Sequence, residues 1–161
     1  MLNRIFPKQF DNTYRGHWLA IVIFALLVIL RAAMGFNSIA MTHLVATNAD
    51  GIPLDSYGAA CADVVVLFFK NIGLFFLLLS LLSALALIRY RAMIPLLYLV
   101  LIVQLAASRL LLLLYPIVKT SAMPLGFPVN LTMLALALLG FGLSLLGKSH
   151  HSRQEADSIR K

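Results

Sequence analysis

Polar residues divide the chain into four long apolar runs: from Trp18 to about His43, from about Ala62 to Ile88, from Ala92 to Tyr115, and from Pro128 to Gly147. Crossing a bilayer takes about 20 helical residues. The pattern therefore predicts an all-α membrane protein, a four-helix transmembrane bundle over residues 18–147. The prolines agree with these ends: Pro95 falls in the first turn of the third run, Pro116 closes it, and Pro128 opens the fourth. The first run is longer than the h-region of a signal peptide and has no small-residue cleavage site followed by a soluble domain, so it is expected to be a retained span.

Small and polar residues recur at helical spacing inside the runs. In the first, Arg31, Gly35, Ser38 and Thr42 form one stripe; in the second, Asp63, Lys70, Gly73 and Ser80 form another. The fourth carries Asn130, Met133, Ala137, Gly140, Ser144 and Gly147 on one face, the small-residue seam along which membrane helices approach closely. In the third, Gln104 and Ser108 share a face. Arg109 lies about 100° around from Ser108, so it is expected to enter a different crevice or to snorkel outward to the headgroups.

Outside the runs the pattern changes. Phe6, Phe10, Tyr14 and Trp18 recur every four residues, with Asp11 and Arg15 able to pair beside them, so residues 1–17 read as an interfacial helix at headgroup level. Residues 148–161 are polar and aperiodic, a mobile tail in which His150 and His151 are solvated.

Composition excludes several classes. Of 161 residues, 61% are hydrophobic and 12% charged, with mean hydropathy +0.95. A soluble domain of this size has no way to hide so much apolar surface. One cysteine, Cys61, leaves no internal disulfide and no CxxC redox centre. No metal-ligand spacing, cofactor fingerprint or nucleophile–base pair is apparent, so neither a metal, a cofactor nor a catalytic residue is expected.

The pI near 10.0 follows from topology rather than from a nucleic-acid partner. Arg4, Lys8, Arg15, Arg89, Arg91, Lys148, Arg153, Arg160 and Lys161 all fall on one side of a four-span chain. Set against Asp11, Glu155 and Asp157, they leave a surplus of six positive charges there and one elsewhere. That side is expected to be cytoplasmic, with both termini inside.

Three cations lie within spans: Arg31, Lys70 and Arg109. Each costs about 2.5–3.5 kcal/mol at a helix centre, so none is expected to face lipid. At about 1.5 Å per residue, Arg31 lies about 20 Å and Arg109 about 25 Å from the cytoplasmic boundary, and Lys70 about 12 Å from the outer one. All three share the outer half of a core about 30 Å thick. The outer loop adds Asp50 and Asp55, and Asp63 opens the second span. A turn at Asp50-Gly-Ile-Pro53 suits a cap that folds over the bundle mouth and neutralises the cations. The alternative is an anion held by Arg31 and Lys70 with Asn71 and Gln104 nearby, and with Arg109 as a further candidate. A proton path through Asp63, Lys70 and His43 ranks last, because Asp63 is shallow. Asn48, Asp50 and Asp55 are too few for a calcium loop.

Three stretches, FDNTYRGHWLA at 10–20, ADGIPLDSYGAA at 49–60 and RYRAMIPLLYLVL at 89–101, together resemble uncharacterised small four-span inner-membrane proteins of Gram-negative bacteria. The resemblance covers most of the first three spans. It implies a compact four-helix fold in a bacterial inner membrane and carries no activity, substrate or catalytic residue. Functionally, the expectation is a non-catalytic accessory or assembly subunit, in contact with membrane lipids and with another membrane protein or further copies of itself. The alternative is a binder or carrier of an anionic amphiphile: a lipid phosphate, an isoprenoid diphosphate or a carboxylate.

Overall fold

A computed structural model describes residues 5–6, 11–12, 14, 16–117, 119 and 124–146. Phe10, Arg15, Gly147 and the tail from 148 to 161 lie outside the described residues, so the interfacial helix and the solvated His150 and His151 are expectations only.

The described chain is helical, with no strand among these residues. Its four long helices are α1 (Trp18–Ala40), α2 (Ala59–Arg89), α3 (Ile94–Leu114) and α4 (Gly126–Leu145). All four are long and apolar enough to cross a membrane, with mean hydropathies between 1.8 and 2.6. Local chemistry sets their ends. The His17 imidazole accepts a hydrogen bond from the Leu19 N–H at 3.2 Å, satisfying one of the orphan donors of the first turn of α1. Pro95 and Pro128 fall in the first turns of α3 and α4, where a missing N–H costs nothing. Tyr90 and a 3₁₀ turn at Arg91–Met93 join α2 to α3.

A helix surrounded by hydrocarbon is apolar on every side, so amphipathicity does not mark its inner face. Small residues do. Gly35 and Ser38 on α1, Gly73, Ser80, Ser83 and Ala86 on α2, and Ala137, Gly140 and Ser144 on α4 are buried. The closest approach is between α1 and α2. A Cβ on Gly35 would stand 2.8 Å from the Gly73 carbonyl oxygen, and one on Gly73 would stand 2.7 Å from that of Gly35. Only a backbone without side chains fits there.

α1 packs along α2 and against α4, and α3 packs against α4, whereas α2 and α3 touch sparingly. The order around the bundle is thus α2–α1–α4–α3, with a loose seam between the first and last. The dense core lies toward the end where α1 begins. There the Phe24 and Tyr98 rings sit 4.9 Å apart, and the Tyr98 hydroxyl donates to the Ala20 carbonyl at 2.7 Å. Gly140 of α4 lies directly under that hydroxyl, with no room for a Cβ.

At the opposite end, the segment between α1 and α2 folds back on itself. A helical turn at Thr42–Leu44 runs into a π turn at Val45–Ala49, closed by bonds from Asp50 N to Val45 O (3.1 Å) and Ile52 N to Ala46 O (2.9 Å). Gly51 reverses the chain at φ 71°, a conformation that favours glycine. The segment rests on the start of α4, where a Cβ on Gly126 would meet the Ala49 carbonyl oxygen at 2.8 Å. It roofs the bundle.

One expected stripe is misplaced. The interior face of α2 is centred on Gly73, Ser80 and Ser83, and both Lys70 and Asp63 are exposed. At 100° per residue, Lys70 lies about 80° around from Ser80. Gly73 and Ser80 belong to the interior, but the stripe drawn through them to Lys70 and Asp63 turns out of it. A lysine at that position has an aliphatic stem long enough to carry its ammonium toward headgroups.

Candidate anion site

Beneath the roof, all four helices leave a cavity of about 350 Å³. Its polar lining comes from Arg31, Asn37 and Ser38 on α1, Ser108 and Arg109 on α3, Asn130 on α4, and Asp50 in the roof. Phe69, Ile72 and Phe76 of α2 and Leu105 and Leu112 of α3 make one part of the apolar wall, and Met34, Val45, Ala49, Leu125 and Val129 the rest. Pockets that take small molecules run from roughly 300 to 1,000 Å³ and combine mostly apolar walls with a few placed polar groups. The cavity has both properties.

Arg31 is its centre. The residue is 4% exposed, yet among the described residues no carboxylate pairs with it. Its guanidinium carbon stands 4.0 Å over the centre of the Phe76 ring, a cation–π contact across the α1–α2 interface. Its Nε is buried without a hydrogen-bond partner. So is the Oγ of Ser80, itself 5% exposed. Both residues also line a second, smaller space of about 20 Å³ between α1, α2 and α3. A single water needs roughly 10–15 Å³ by this measure and two or more polar partners. The small space offers that room and two unpartnered groups.

Arg109 continues the inner face of α3, four residues beyond the buried Leu105, rather than turning to a separate crevice or out to the headgroups. It is already occupied. Nη2 donates to the Phe127 carbonyl at 2.7 Å, and the guanidinium carbon lies 4.3 Å over the Phe127 ring, tying α3 to the start of α4. Asp50 borders the cavity from above. Burial pushes its carboxyl above the ordinary range, and the nearby charges of Lys119 and Arg109 pull it back in part.

The other candidates lie elsewhere. Lys70 and Asn71 are exposed, and neither lines the cavity; the Asn71 amide donates to the Leu67 carbonyl of its own helix at 2.9 Å. Around α2, Lys70 sits about 100° from Phe69 and about 160° from Ile72, the residues that do line it. Gln104 is partly buried, its Oε1 unpartnered, but it does not reach the cavity either. Asp55 pairs with the His43 imidazole at 3.0 Å in the loop, both side chains well exposed, and so does not neutralise an intramembrane cation. Asp63 is exposed and makes no ion pair among the described residues.

Several lining groups, Asn37 and Phe76 among them, carry no clear sign in the sequence. Phe76 was hidden in an unbroken apolar run, and its only signal is that it lies on the same face as Gly73 and Ser80. Asn130 was read as part of a packing seam, although an amide at the outer end of such a seam also supplies a donor and an acceptor. Among the described residues, no group of three His, Cys, Asp or Glu comes together to hold a metal ion.

Comparison of the chain with protein-family models, with curated proteins and with solved structures finds no match. The geometry of the Arg31 cavity therefore stands as the basis for a functional assignment.

Proposed function

We propose that this chain is a non-catalytic membrane protein that binds an anionic amphiphile, with the negative headgroup against Arg31 and the apolar portion along the α2 and α3 walls. One observation carries this: a guanidinium that is 4% exposed has no carboxylate partner among the described residues and borders a cavity of about 350 Å³. A buried charge left uncompensated is costly, and intramembrane charges that persist usually serve a ligand or a pathway. A bound carboxylate or phosphate would supply charge-assisted hydrogen bonds to the guanidinium. The amides of Asn37 and Asn130 and the Ser38 hydroxyl line the cavity beside it and suit the rest of the headgroup.

The membrane placement is part of the same proposal. The excess of Lys and Arg at the chain ends and at Arg89 and Arg91 favours cytoplasmic termini and a cavity near the outer face. Resemblance to small bacterial inner-membrane proteins favours that membrane. A role as an accessory subunit finds no specific support, because the large apolar residues exposed on all four helices are what contact with lipid requires.

The test is native mass spectrometry of protein extracted in mild detergent. The wild-type chain is expected to carry a co-purifying anionic adduct that Arg31→Met removes and Lys70→Met retains. An adduct equally abundant in all three proteins would overturn the assignment.

A further inference from the structure

We propose that the anionic amphiphile reaches Arg31 sideways from the bilayer, through the seam between α2 and α3; this rests on the cavity being an anion site at all. Three seams are held by direct contacts, and a loop segment lies over the top. Gly35 and Gly73 bring the α1 and α2 backbones together, α1 packs on α4, and the Arg109–Phe127 hydrogen bond joins α3 to α4. Above, the segment from Val45 to Asp50 lies on Gly126, its own Ala46 fully buried. The fourth seam is different. α2 and α3 touch sparingly, although only four residues separate them. The cavity is lined on the two sides of that seam by Ile72 and Leu112, 45% and 40% exposed. An amphiphile approaching from lipid therefore meets apolar side chains first and Arg31 behind them.

At roughly 10–15 Å³ per water-sized group, 350 Å³ holds about two to three dozen such groups, and a methylene is of similar size. That is room for a dodecyl chain and its head.

The experiment uses the full chain in phosphatidylcholine nanodiscs, with dodecanoate and butyrate as probes bearing the same carboxylate. Dodecanoate is expected to bind saturably at one per chain, and butyrate to fail to compete at a hundredfold excess. The Ile72→Trp/Leu112→Trp double variant, which fills the seam, should slow dodecanoate association at least tenfold. Lys119→Ala, in the roof against Gly51 but outside the cavity, should leave the rate unchanged. Should the double variant not fold, Ile72→Phe puts the same question with a smaller change in rate.

Butyrate competing as well as dodecanoate, or an unchanged rate in a folded seam variant, would overturn lateral access while leaving the anion site standing. Dodecanoate binding that survives Arg31→Met unchanged would remove the anion site itself.

Discussion

Replacing Arg31 by methionine separates a ligand site from an ion-paired scaffold, because the two predict opposite changes in stability. A cation at a helix centre costs about 2.5–3.5 kcal/mol on insertion scales. In the ligand-free bundle the visible compensation is the Phe76 ring at 4.0 Å, and a desolvated cation–π contact returns about 2 kcal/mol. Methionine keeps an unbranched stem and discards the charge. The empty protein should therefore gain about 1 kcal/mol, roughly a fivefold shift in its unfolding equilibrium. Reversible unfolding in mixed detergent and dodecyl sulfate measures this directly. Adding an anionic amphiphile at a hundred times its Kd should then stabilise the wild type by about 2.7 kcal/mol and the variant not at all. A loss of about 3–5 kcal/mol in Arg31→Met, the usual consequence of deleting one partner of a buried ion pair, would refute the account.

Other outcomes follow from single features. The Asp50 carboxyl is raised by burial, so its contribution to stability is full below the ordinary aspartate pKa of about 3.9 and is lost as pH rises through the raised value. Asp50→Asn should flatten that fall in a titration of melting temperature, and an unchanged pH slope would count against it. Tyr98→Phe removes the donor to the Ala20 carbonyl at 2.7 Å and should cost about 0.6–1.5 kcal/mol in the same unfolding assay, with a neutral result showing that the bond adds nothing. Gly35→Ala drives a methyl against the Gly73 carbonyl oxygen at 2.8 Å and should cost about 1–3 kcal/mol by forcing α1 from α2; wild-type stability would mean that the helices part easily. In an experimental density map, one ordered water should lie within hydrogen-bond reach of Arg31 Nε and Ser80 Oγ, and a dry space there would contradict the assignment.

The four helices were legible because hydrocarbon leaves few choices. Runs of about 20 apolar residues must bond their own backbones, and helices do so. The rotation of each helix was harder to read. In water, polar residues mark the outside, but in lipid the inside is marked by small ones, and a lysine with a long stem is compatible with either. Arg31 fell on the interior because Gly35 and Ser38 share its face and bury with it. Lys70 was drawn inward by Gly73, three residues away, which is close enough in angle to look like one stripe and far enough to leave it. Arg109 was misjudged for the converse reason. Its neighbour Ser108 shares a face with Gln104, yet the groups that hold Arg109 belong to Phe127 on another helix. The cavity had no sequence signature, since it arises from the spacing between helices that each look alike.

The order of helices around the bundle bears on how the chain assembles. Two of the pairs adjacent in space, α1 with α2 and α3 with α4, are also consecutive in sequence, while the short link at Tyr90–Met93 joins two helices that touch sparingly. The molecule is two hairpins held together by α1 against α4 and by the bond from Tyr98 to Ala20. Severing the backbone in that link would break no helix and little packing. Two separately translated halves, one ending near Arg89 and the other starting near Arg91, should find each other in the bilayer and restore the whole.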